Sequence, residues 1–387
     1  MVIPLKYNLR SLLVRRVSTL MTMLSVSLVV ALFIGIVALA KGIEKALVSS
    51  GDPLNVMALR RGASAEINSF ISNEAFQAVK FLPGVKTGPN GDSMASAEIV
   101  VVINLPKRGQ EHGSNVSIRG LLPVGLGLRP QLHLVEGRMF QQGTREVIAS
   151  RTISDRFQRT GLGDRLRFGK GDWEVVGIFD AGNTAFDSEI WADVNQLAND
   201  YNRQSYSSVL LQANDPATIK SIIDRIDSDP RYGLTARAET DYYAEQTQAA
   251  APIKFFGTFI AIVMGIGACF AAMNTMYAAV TYRTQEIATL RMLGFKSTSI
   301  LLSFLTESLL LAFAGGVIGC LLVLPASMIT MGTVNWQTYS ELAFAFQITP
   351  GLLLTGLAFA AALGIVGGVF PAWKAARQKP ATVFQTM

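Results

Sequence analysis

The chain has 387 residues, of which 50% are hydrophobic and only 16% are charged, and its formal net charge is +6. Soluble domains carry about 25% charged residues, so this composition is typical of a membrane protein and argues against a soluble globular one. The basic excess lies beside long apolar segments, and it therefore gives no support for nucleic-acid binding.

Four apolar windows are long enough to cross a bilayer, since a helix needs about 20 apolar residues to span the hydrocarbon core. The windows are residues 17–40, 255–282, 297–340 (interrupted by the single charge of Glu307) and 342–373. The first window is far longer than the roughly 7–15 apolar residues of a secretory signal, which predicts an uncleaved anchor.

Basic residues lie at alternate ends of these windows: Lys6, Arg10, Arg15 and Arg16 before the first, Arg283, Arg291 and Lys296 between the second and third, and Lys374, Arg377 and Lys379 after the fourth. By the positive-inside rule, both termini and the 282–299 segment face the cytoplasm. We therefore expect a multi-pass protein of a bacterial cytoplasmic (inner) membrane, with its large domain periplasmic or extracellular.

The predicted elements follow in chain order: a cytoplasmic amphipathic segment (1–16), a first transmembrane and stalk helix (17–50), an extracytoplasmic core domain (51–240), a second stalk and transmembrane helix (241–281), a cytoplasmic helix (282–298), a third transmembrane helix (299–331), an outer loop (332–349), a fourth transmembrane helix (350–373) and a cytoplasmic tail (374–387). At 1.5 Å per residue the two stalk helices extend about 50 and 60 Å, more than a bilayer requires.

The extracytoplasmic segment has the patterning of a soluble α+β domain. Residues 54–60, a helix after the N-cap Ser72 and residues 95–105 give one strand–helix–strand unit, which residues 207–239 repeat. These two halves predict a split ferredoxin-like fold, with the strand-rich residues 114–200 as an inserted subdomain. The fold class is thus four transmembrane helices with a large α+β domain on a helical stalk.

No catalytic, cofactor-binding or metal-binding residues are predicted. A phosphate-binding loop is absent, the two histidines His112 and His133 lack ligand spacing, and no nucleophile is marked together with a base. The two cysteines, Cys269 and Cys320, both lie in apolar windows, which excludes a disulfide-stapled outer domain. We therefore expect no enzyme activity from this chain.

The segment "YRTQEIATLRMLGFKSTS" (282–299) interrupts the apolar windows with charge. A helix from about Thr284 places Ile287, Leu290 and Leu293-Gly294 on one side, with Glu286 and Arg291 flanking them. The apolar side chains Leu290, Met292 and Phe295 are expected to be exposed at this charged surface, which favours docking to another protein. A solvated connector with basic anchors is the alternative that the residues leave open.

The longer run "YRTQEIATLRMLGFKSTSILLSFLTESLLLAFAGGVIG" resembles the MacB/FtsX family of ABC transporter permeases. The motif of the family's coupling helix is matched by Arg283, Glu286, Ile287, Leu290, Arg291 and Gly294. A glutamate and a glycine cluster typical of the third span are matched by Glu307, Gly315, Gly316 and Gly319. The four spans and the bipartite outer domain also resemble the MacB core, so the likeness covers the whole chain.

The resemblance implies a permease subunit of an ABC exporter whose coupling helix docks an ATPase. Because only sixteen residues precede the first window, the ATPase, with its ATP and Mg, is expected on a separate chain. A homodimer with two ATPase subunits is implied, and membrane lipid is a further partner. The residues leave open a heterodimer with a paralogous permease and an assembly with a periplasmic adaptor and an outer-membrane channel. ATP-driven motion would pass along the stalks to the outer domain, moving substrate on the outer side.

Three alternatives stay open at this point. An FtsX-like or receptor-type signalling protein would regulate an outer-side process without transport, although no cytoplasmic segment exceeds about twenty residues. The glycines Gly315, Gly316 and Gly319 serve either helix packing within the chain or a dimer interface. Glu307 either extends to the membrane surface or bonds a neighbouring helix, and a proton relay is disfavoured because no second membrane acid accompanies it.

Overall fold

A computed structural model describes residues 16–110, 112–247, 251–335 and 337–378 of the chain. These residues form two compact units. The helical unit contains the described residues up to Lys41, Pro252–Ile329 and those from Phe346 onward, and the sheet unit contains Gly42–Ala251 and Thr330–Ala345. The predicted N-terminal segment, except Arg16, and the end of the predicted tail from residue 379 lie outside the described residues.

The helices of the described residues are, in chain order, α1 (Arg16–Val48), α2 (Asn73–Val79), α3 (Pro123–Gly127), α4 (Arg151–Arg156), α5 (Val194–Asp200), α6 (Pro216–Ser228), α7 (Glu239–Gln246), α8 (Ala251–Tyr282), α9 (Thr284–Met292), α10 (Ser297–Val323) and α11 (Pro350–Ala376). Short 3-10 turns cover Glu66–Asn68, Ala185–Ser188 and Leu324–Met328.

The strands are β1 (Asn55–Arg60), β2 (Ala95–Pro106), β3 (Gly113–Leu121), β4 (His133–Gly137), β5 (Glu146–Ser150), β6 (Arg165–Phe168), β7 (Gly171–Asp180), β8 (Glu189–Asp193), β9 (Ser208–Gln212), β10 (Leu234–Ala238), β11 (Thr330–Asn335) and β12 (Ser340–Ala345).

Four helical segments of the described chain are long and apolar enough to cross a membrane: Arg16–Val48, Phe255–Tyr282, Ser297–Met328 and Pro350–Ala376. This confirms the fold class of a membrane protein with four apolar helices. The third differs in detail from the predicted 299–331, because α10 ends at Val323 and a 3-10 turn follows. Pro325 lies in that turn and lacks the backbone N–H that a continuing α-helix needs.

The predicted helix 241–281 is described in two parts, on either side of residues 248–250. The first piece, α7, ends with Thr247 as its C-cap, and α8 begins at Ala251. Residues 248–250 between them lie outside the described residues. Helix α1 is continuous over 33 residues and contributes residues to both units.

The first part of the sheet unit has the predicted ferredoxin-like arrangement. Four strands pair antiparallel in the order β10-β1-β9-β2, and α2 and α6 connect the strands of each half. Their apolar side chains form one core, which includes Val56, Val209, Leu211, Ile222 and Ala236. The capping of α6 by Asp215, whose carboxylate accepts from Thr218 N at 3.0 Å, fixes where that helix begins.

The strands between β2 and β9 extend the same sheet. Strand β2 is twelve residues long and pairs with β9 through its first half and with β3 through its second half. Beyond β3 the order continues β8-β5-β7-β4, and β6 forms a hairpin with β7 across a turn at Gly169 and Lys170. A second core, centred on Trp173, Phe157 and Ile190, lies under these strands.

The prediction of a loop over residues 332–349 is wrong for most of this segment, because strands β11 and β12 form an antiparallel hairpin here. The hairpin belongs to the sheet unit although both flanking helices belong to the helical unit. Its Glu341 forms ion pairs with Lys107, at 2.6 Å, and with Arg156. The Ala343 N–H donates to Ser188 Oγ at 2.7 Å. These contacts to distant residues stabilise strands that the nearly uncharged sequence did not reveal.

Candidate functional site

The segment between α8 and α10 is held by a buried arginine. Arg283 is the N-cap residue of α9, and its Nη1 donates to Glu307 Oε2 of α10 at 2.9 Å. Its Nε donates to Glu286 Oε2 at 3.0 Å, and its guanidinium carbon lies 5.2 Å from the ring centroid of Phe304. We call Arg283, Glu286 and Glu307 the Arg283 cluster. It ties the start of the short helix to α10.

One face of α9 is buried within the helical unit. Ile287 and Ala288 are buried, and Ile287 belongs to a cluster with Val280, Ile300 and Phe304. The assignment of Ile287 and Arg283 to a docking surface is therefore corrected: both side chains contact the chain's own helices. Hydrophobic burial and the Arg283 cluster together fix the orientation of α9 relative to α8 and α10.

The C-terminal end of α9 is a Schellman motif. The Phe295 N–H donates to Leu290 O at 3.1 Å, and the Gly294 N–H donates to Arg291 O at 3.2 Å. Gly294 has φ +90°, a conformation that residues with a Cβ rarely adopt. Arg291 Nη1 donates to Phe295 O at 3.4 Å. Gly294 therefore ends the helix.

The outward surface of α9 is partly apolar. Met292 and Leu293 have exposed fractions of 60% and 66%, whereas Leu290 and Phe295, which we expected to be exposed, are only half-exposed. Gln285 and Thr289 are exposed on the same helix. The apolar tip consists of Met292, which the sequence predicted to be exposed, and Leu293, which was among the predicted docking residues.

The glycines of the third span pack against other helices of the same chain. A Cβ at Gly315 would lie 2.8 Å from Met23 O, and one at Gly319 would lie 2.7 Å from Ser27 O, both in α1. A Cβ at Gly316 would lie 2.7 Å from Ala360 Cβ of α11. All three contacts fall in the interior of the helical unit, which favours packing within the chain over a dimer interface.

A second group of buried charges lies in the sheet unit, and sequence reasoning missed it. Arg119 makes ion pairs with Glu66 at 2.6 Å, with Glu98 at 2.8 Å and with Glu189 at 2.8 Å. Arg129 pairs with Glu98 at 2.7 Å. We call these five residues the Arg119 cluster. Burial alone would raise the pKa of Glu66, but the charge and hydrogen bonds of Arg119 outweigh it and lower that pKa.

Glu239, at the start of α7, is buried beside this cluster. Its Oε2 accepts hydrogen bonds from Asp52 N and Asn55 Nδ2, both at 2.9 Å, while its Oε1 has no partner among the described residues. Burial raises the pKa of Glu239 to about 7, and the nearby charge of Arg129 only partly opposes this. Glu239 therefore titrates near neutral pH.

Comparisons with known proteins connect these features to a family. Residues 19–229 match the family model of the MacB-like periplasmic core domain, and residues 258–380 match that of the FtsX-like permease C-terminal. The chain belongs to the MacB/FtsX family of ABC transporter permeases. Membership makes the chain the transmembrane component of an ABC transporter, with a large extracellular domain.

Two relatives show how far the likeness extends. The macrolide export ATP-binding/permease protein MacB of Bdellovibrio bacteriovorus is 24% identical over 411 residues, and the alignment covers 98% of this chain and 61% of that protein. The uncharacterized ABC transporter permease YknZ of Bacillus subtilis is 23% identical over 395 residues, with 97% of each chain covered. This permease chain thus spans about 61% of the length of the Bdellovibrio MacB.

Solved structures are similar to part of the chain. The extracellular domain of the noncanonic ABC-type transporter YknZ from Gram-positive bacteria aligns with a TM-score of 0.35 and 20% identity, covering 47% of this chain and 99% of that domain. The periplasmic region of MacB from Actinobacillus actinomycetemcomitans aligns with a TM-score of 0.37 and 12% identity, covering 50% and 92% of the two chains.

Proposed function

We propose that this chain is the permease subunit of an ABC exporter that docks a separate ATPase through α9 and passes ATP-driven motion to its sheet unit. The observation that carries the proposal is the combination of a fixed helix and an apolar tip. The Arg283 cluster and the burial of Ile287 hold α9 to the transmembrane helices, while Met292 and Leu293 remain exposed. Force on that tip reaches α8 and α10 without being lost in a flexible loop.

Two of the covalent connections between the helical unit and the sheet unit carry the motion in this proposal. One is α1, a continuous helix whose last residues, Gly42–Val48, belong to the sheet unit. The other is the β11–β12 hairpin, which follows the third span and precedes the fourth. The ion pairs of Glu341 with Lys107 and Arg156 hold the hairpin to the sheet unit. Movement of the third and fourth spans would therefore pull directly on the sheet unit.

The partners follow from the same proposal. Two ATPase subunits would bind two copies of this chain, each at one α9 helix, and ATP and Mg would be held by those subunits. Both termini and α9 would face the cytoplasm of the cell, because the basic residues beside the spans lie there. An adaptor and an outer-membrane channel would join where an outer membrane exists. Macrolides are the first substrate class to test, since macrolide export is the named activity of one relative.

The docking step is tested by co-purification with a candidate ABC ATPase subunit from the same organism. Leu293→Asp places a carboxylate in the desolvated centre of the proposed contact, and an unpaired buried charge should weaken binding by a hundredfold or more. Thr298→Asp is the matched control. It adds the same charge at an exposed position in the first turn of α10, where a carboxylate is tolerated. Retention of the ATPase by Leu293→Asp would contradict docking at this tip.

The transmission step is tested with Glu341→Ala, which removes the ion pairs of the hairpin. We expect this variant to retain the ATPase but to lose the macrolide resistance that the wild-type complex confers on a sensitive host. Macrolide export by Glu341→Ala at the wild-type level would show that the hairpin is not part of the proposed route. Absence of macrolide resistance with the wild-type complex, together with an ATP-dependent effect on an outer-side process, would favour the signalling alternative.

A further inference from the structure

An open groove of about 400 Å³ lies at the ends of α8 and α11, near the point where α9 follows α8. Its lining residues are Tyr277, Phe370, Trp373, Lys374, Arg377 and Gln378. Tyr277 comes from the last turns of α8, and the others come from the end of α11 and the two residues after it. The groove is thus at one boundary of the apolar helices and separate from the exposed tip of α9.

The groove carries positive charge without a matching acid. Lys374 Nζ lies 5.2 Å from the ring centroid of Tyr277, and the guanidinium carbon of Arg377 lies 3.9 Å from that of Trp373. Neither cation forms an ion pair with a carboxylate in the part of the chain that the structure describes. No acidic residue lines the groove, and the sequence contains none after Glu341. The aromatic rings orient both cations but do not neutralise them.

An apolar surface leads along α11 to these cations. Ile365, Val366 and Val369 are exposed on the helix in the turns before Trp373, and Phe370 continues this surface into the groove. Tryptophan and tyrosine prefer the level of the lipid headgroups, and basic side chains at this level attract anionic lipids. A free phosphate ion would use the cations but would leave the apolar surface uncovered. A phospholipid satisfies both.

We propose that the groove binds the headgroup of an anionic phospholipid. The phosphate contacts Lys374 and Arg377, and the acyl chains lie along Ile365, Val366 and Val369. The side-chain Oε1 of Gln378 is buried with no hydrogen-bond partner among the described residues, so it can accept a hydrogen bond from a headgroup hydroxyl. Phosphatidylglycerol, which carries one negative charge and two hydroxyls, has this chemistry.

The test is native mass spectrometry of the full chain in detergent, titrated with phosphatidylglycerol or with phosphatidylcholine of the same acyl chains. Wild type should bind phosphatidylglycerol at least tenfold more tightly than phosphatidylcholine. Lys374→Gln should weaken phosphatidylglycerol binding about fivefold, and Lys374→Gln combined with Arg377→Gln about thirtyfold. Phosphatidylcholine binding should be unchanged. Lys296→Gln, which removes an exposed lysine at the start of α10, is the matched control and should have an effect below twofold.

Three results would overturn the proposal. The first is equal affinity of wild type for the two lipids, and the second is an equal loss of phosphatidylglycerol affinity in Lys374→Gln and Lys296→Gln. The third is no loss of phosphatidylglycerol affinity in the double variant, which would mean that another segment of the chain or a protein partner covers the groove. Lys374→Arg combined with Arg377→Lys changes the same two positions but keeps both charges, so it should retain phosphatidylglycerol binding. A loss of binding in this variant as well would indicate misfolding rather than the loss of charge. No ATPase is present in this assay, and its outcome therefore leaves the proposed docking at α9 untouched.

Discussion

The two units each contain a group of buried charges, and the two groups are built differently. In the helical unit, Arg283 joins Glu286 and Glu307, which lie 3 and 24 residues away in the chain. In the sheet unit, Arg119 joins carboxylates up to 70 residues away, on several strands and a 3-10 turn. The Arg283 cluster connects neighbouring elements, whereas the Arg119 cluster connects parts of the sheet unit that meet only after folding.

This difference determines what breaking each cluster should do. Arg119 is 2% exposed and balances three carboxylates, so its loss leaves several buried charges without compensation. Arg283 compensates the buried Glu307, while Glu286 is exposed and stays hydrated without its partner. Breaking a buried pair by removing one partner costs roughly 3–5 kcal/mol, far more than the pair contributes over an apolar replacement. We therefore expect the larger effect in the sheet unit.

The largest effect is predicted for Arg119→Met. It should lower the free energy of unfolding of the sheet unit by at least the roughly 3–5 kcal/mol typical of a broken buried ion pair. Near-UV circular dichroism reports on this unit, because Trp173 and Trp191 are fully buried there. The matched control is Arg138→Met, which removes an arginine from an exposed pair with Glu146 and should change little. Equal, small effects of both substitutions would show that the Arg119 cluster is not stabilising.

The same contrast explains what the sequence could predict. Arg283, Glu286 and Gly294 recur at helical spacing in one short segment, so the family motif and the existence of α9 were readable. The contact partner of each motif residue could not be predicted, because Arg283 turns inward to Glu307 only once α8 and α10 are packed. The Arg119 cluster was invisible, since Glu66 and Glu189 are ordinary polar residues until the strand order brings them together.

The strands follow the same rule. Those of the ferredoxin-like half were predicted from alternation and turn residues, and their pairing follows from a local strand–helix–strand order. The β11–β12 hairpin was not predicted, because residues 330–345 carry a single charge, Glu341, and have no glycine between the two strands. Long-range contacts of Glu341 and Ala343 stabilise it. Local signals identify local elements. Contacts between distant segments need the folded chain.

The second prediction concerns the Arg283 cluster. Arg283→Leu should destabilise the helical unit by roughly 3 kcal/mol, because it leaves the buried Glu307 unpaired. Labelling by a thiol-reactive dye during thermal unfolding reports on this unit, since both cysteines are buried in it. Arg283→Leu combined with Glu307→Leu should recover most of the loss if the pair is structural. A double variant as unstable as the single one would indicate that Arg283 acts through other contacts.

The third prediction is a pH dependence of the sheet unit. The pKa of Glu239 is raised from 4.5 to about 7 by burial. For an acid whose folded-state pKa is raised, stability is greatest below the unfolded pKa and falls as pH rises toward the folded pKa. Wild type should therefore lose about 2–3 kcal/mol between pH 4.5 and pH 7 through this group.

Glu239→Gln isolates this contribution, because glutamine keeps an acceptor for Asp52 N and Asn55 Nδ2 but does not ionise. The variant should be more stable than wild type at pH 8, and the difference should shrink as pH falls below 7. The comparison of the two chains cancels the opposite contribution of groups such as Glu66, whose pKa is lowered. A difference that is independent of pH would contradict a neutral Glu239 in the folded protein.

The smallest effect is predicted at the end of α9. Gly294 has φ +90°, and a Cβ at this position would meet no atom within 4 Å, so a substitution acts through backbone strain alone. Gly294→Ala should cost roughly 1–2 kcal/mol, while Gly294→Asn should cost less because asparagine tolerates positive φ better. The strain falls on the Schellman motif, so the Phe295 amide should exchange its hydrogen faster in Gly294→Ala.

The Arg283 cluster at the other end of α9 should be unaffected by this substitution. The helical unit, monitored by thiol labelling at Cys269 and Cys320, should therefore unfold at nearly the wild-type temperature. A large drop in that temperature would mean that the two ends of α9 are coupled, and that the helix is fixed as one unit rather than from its N-terminal end.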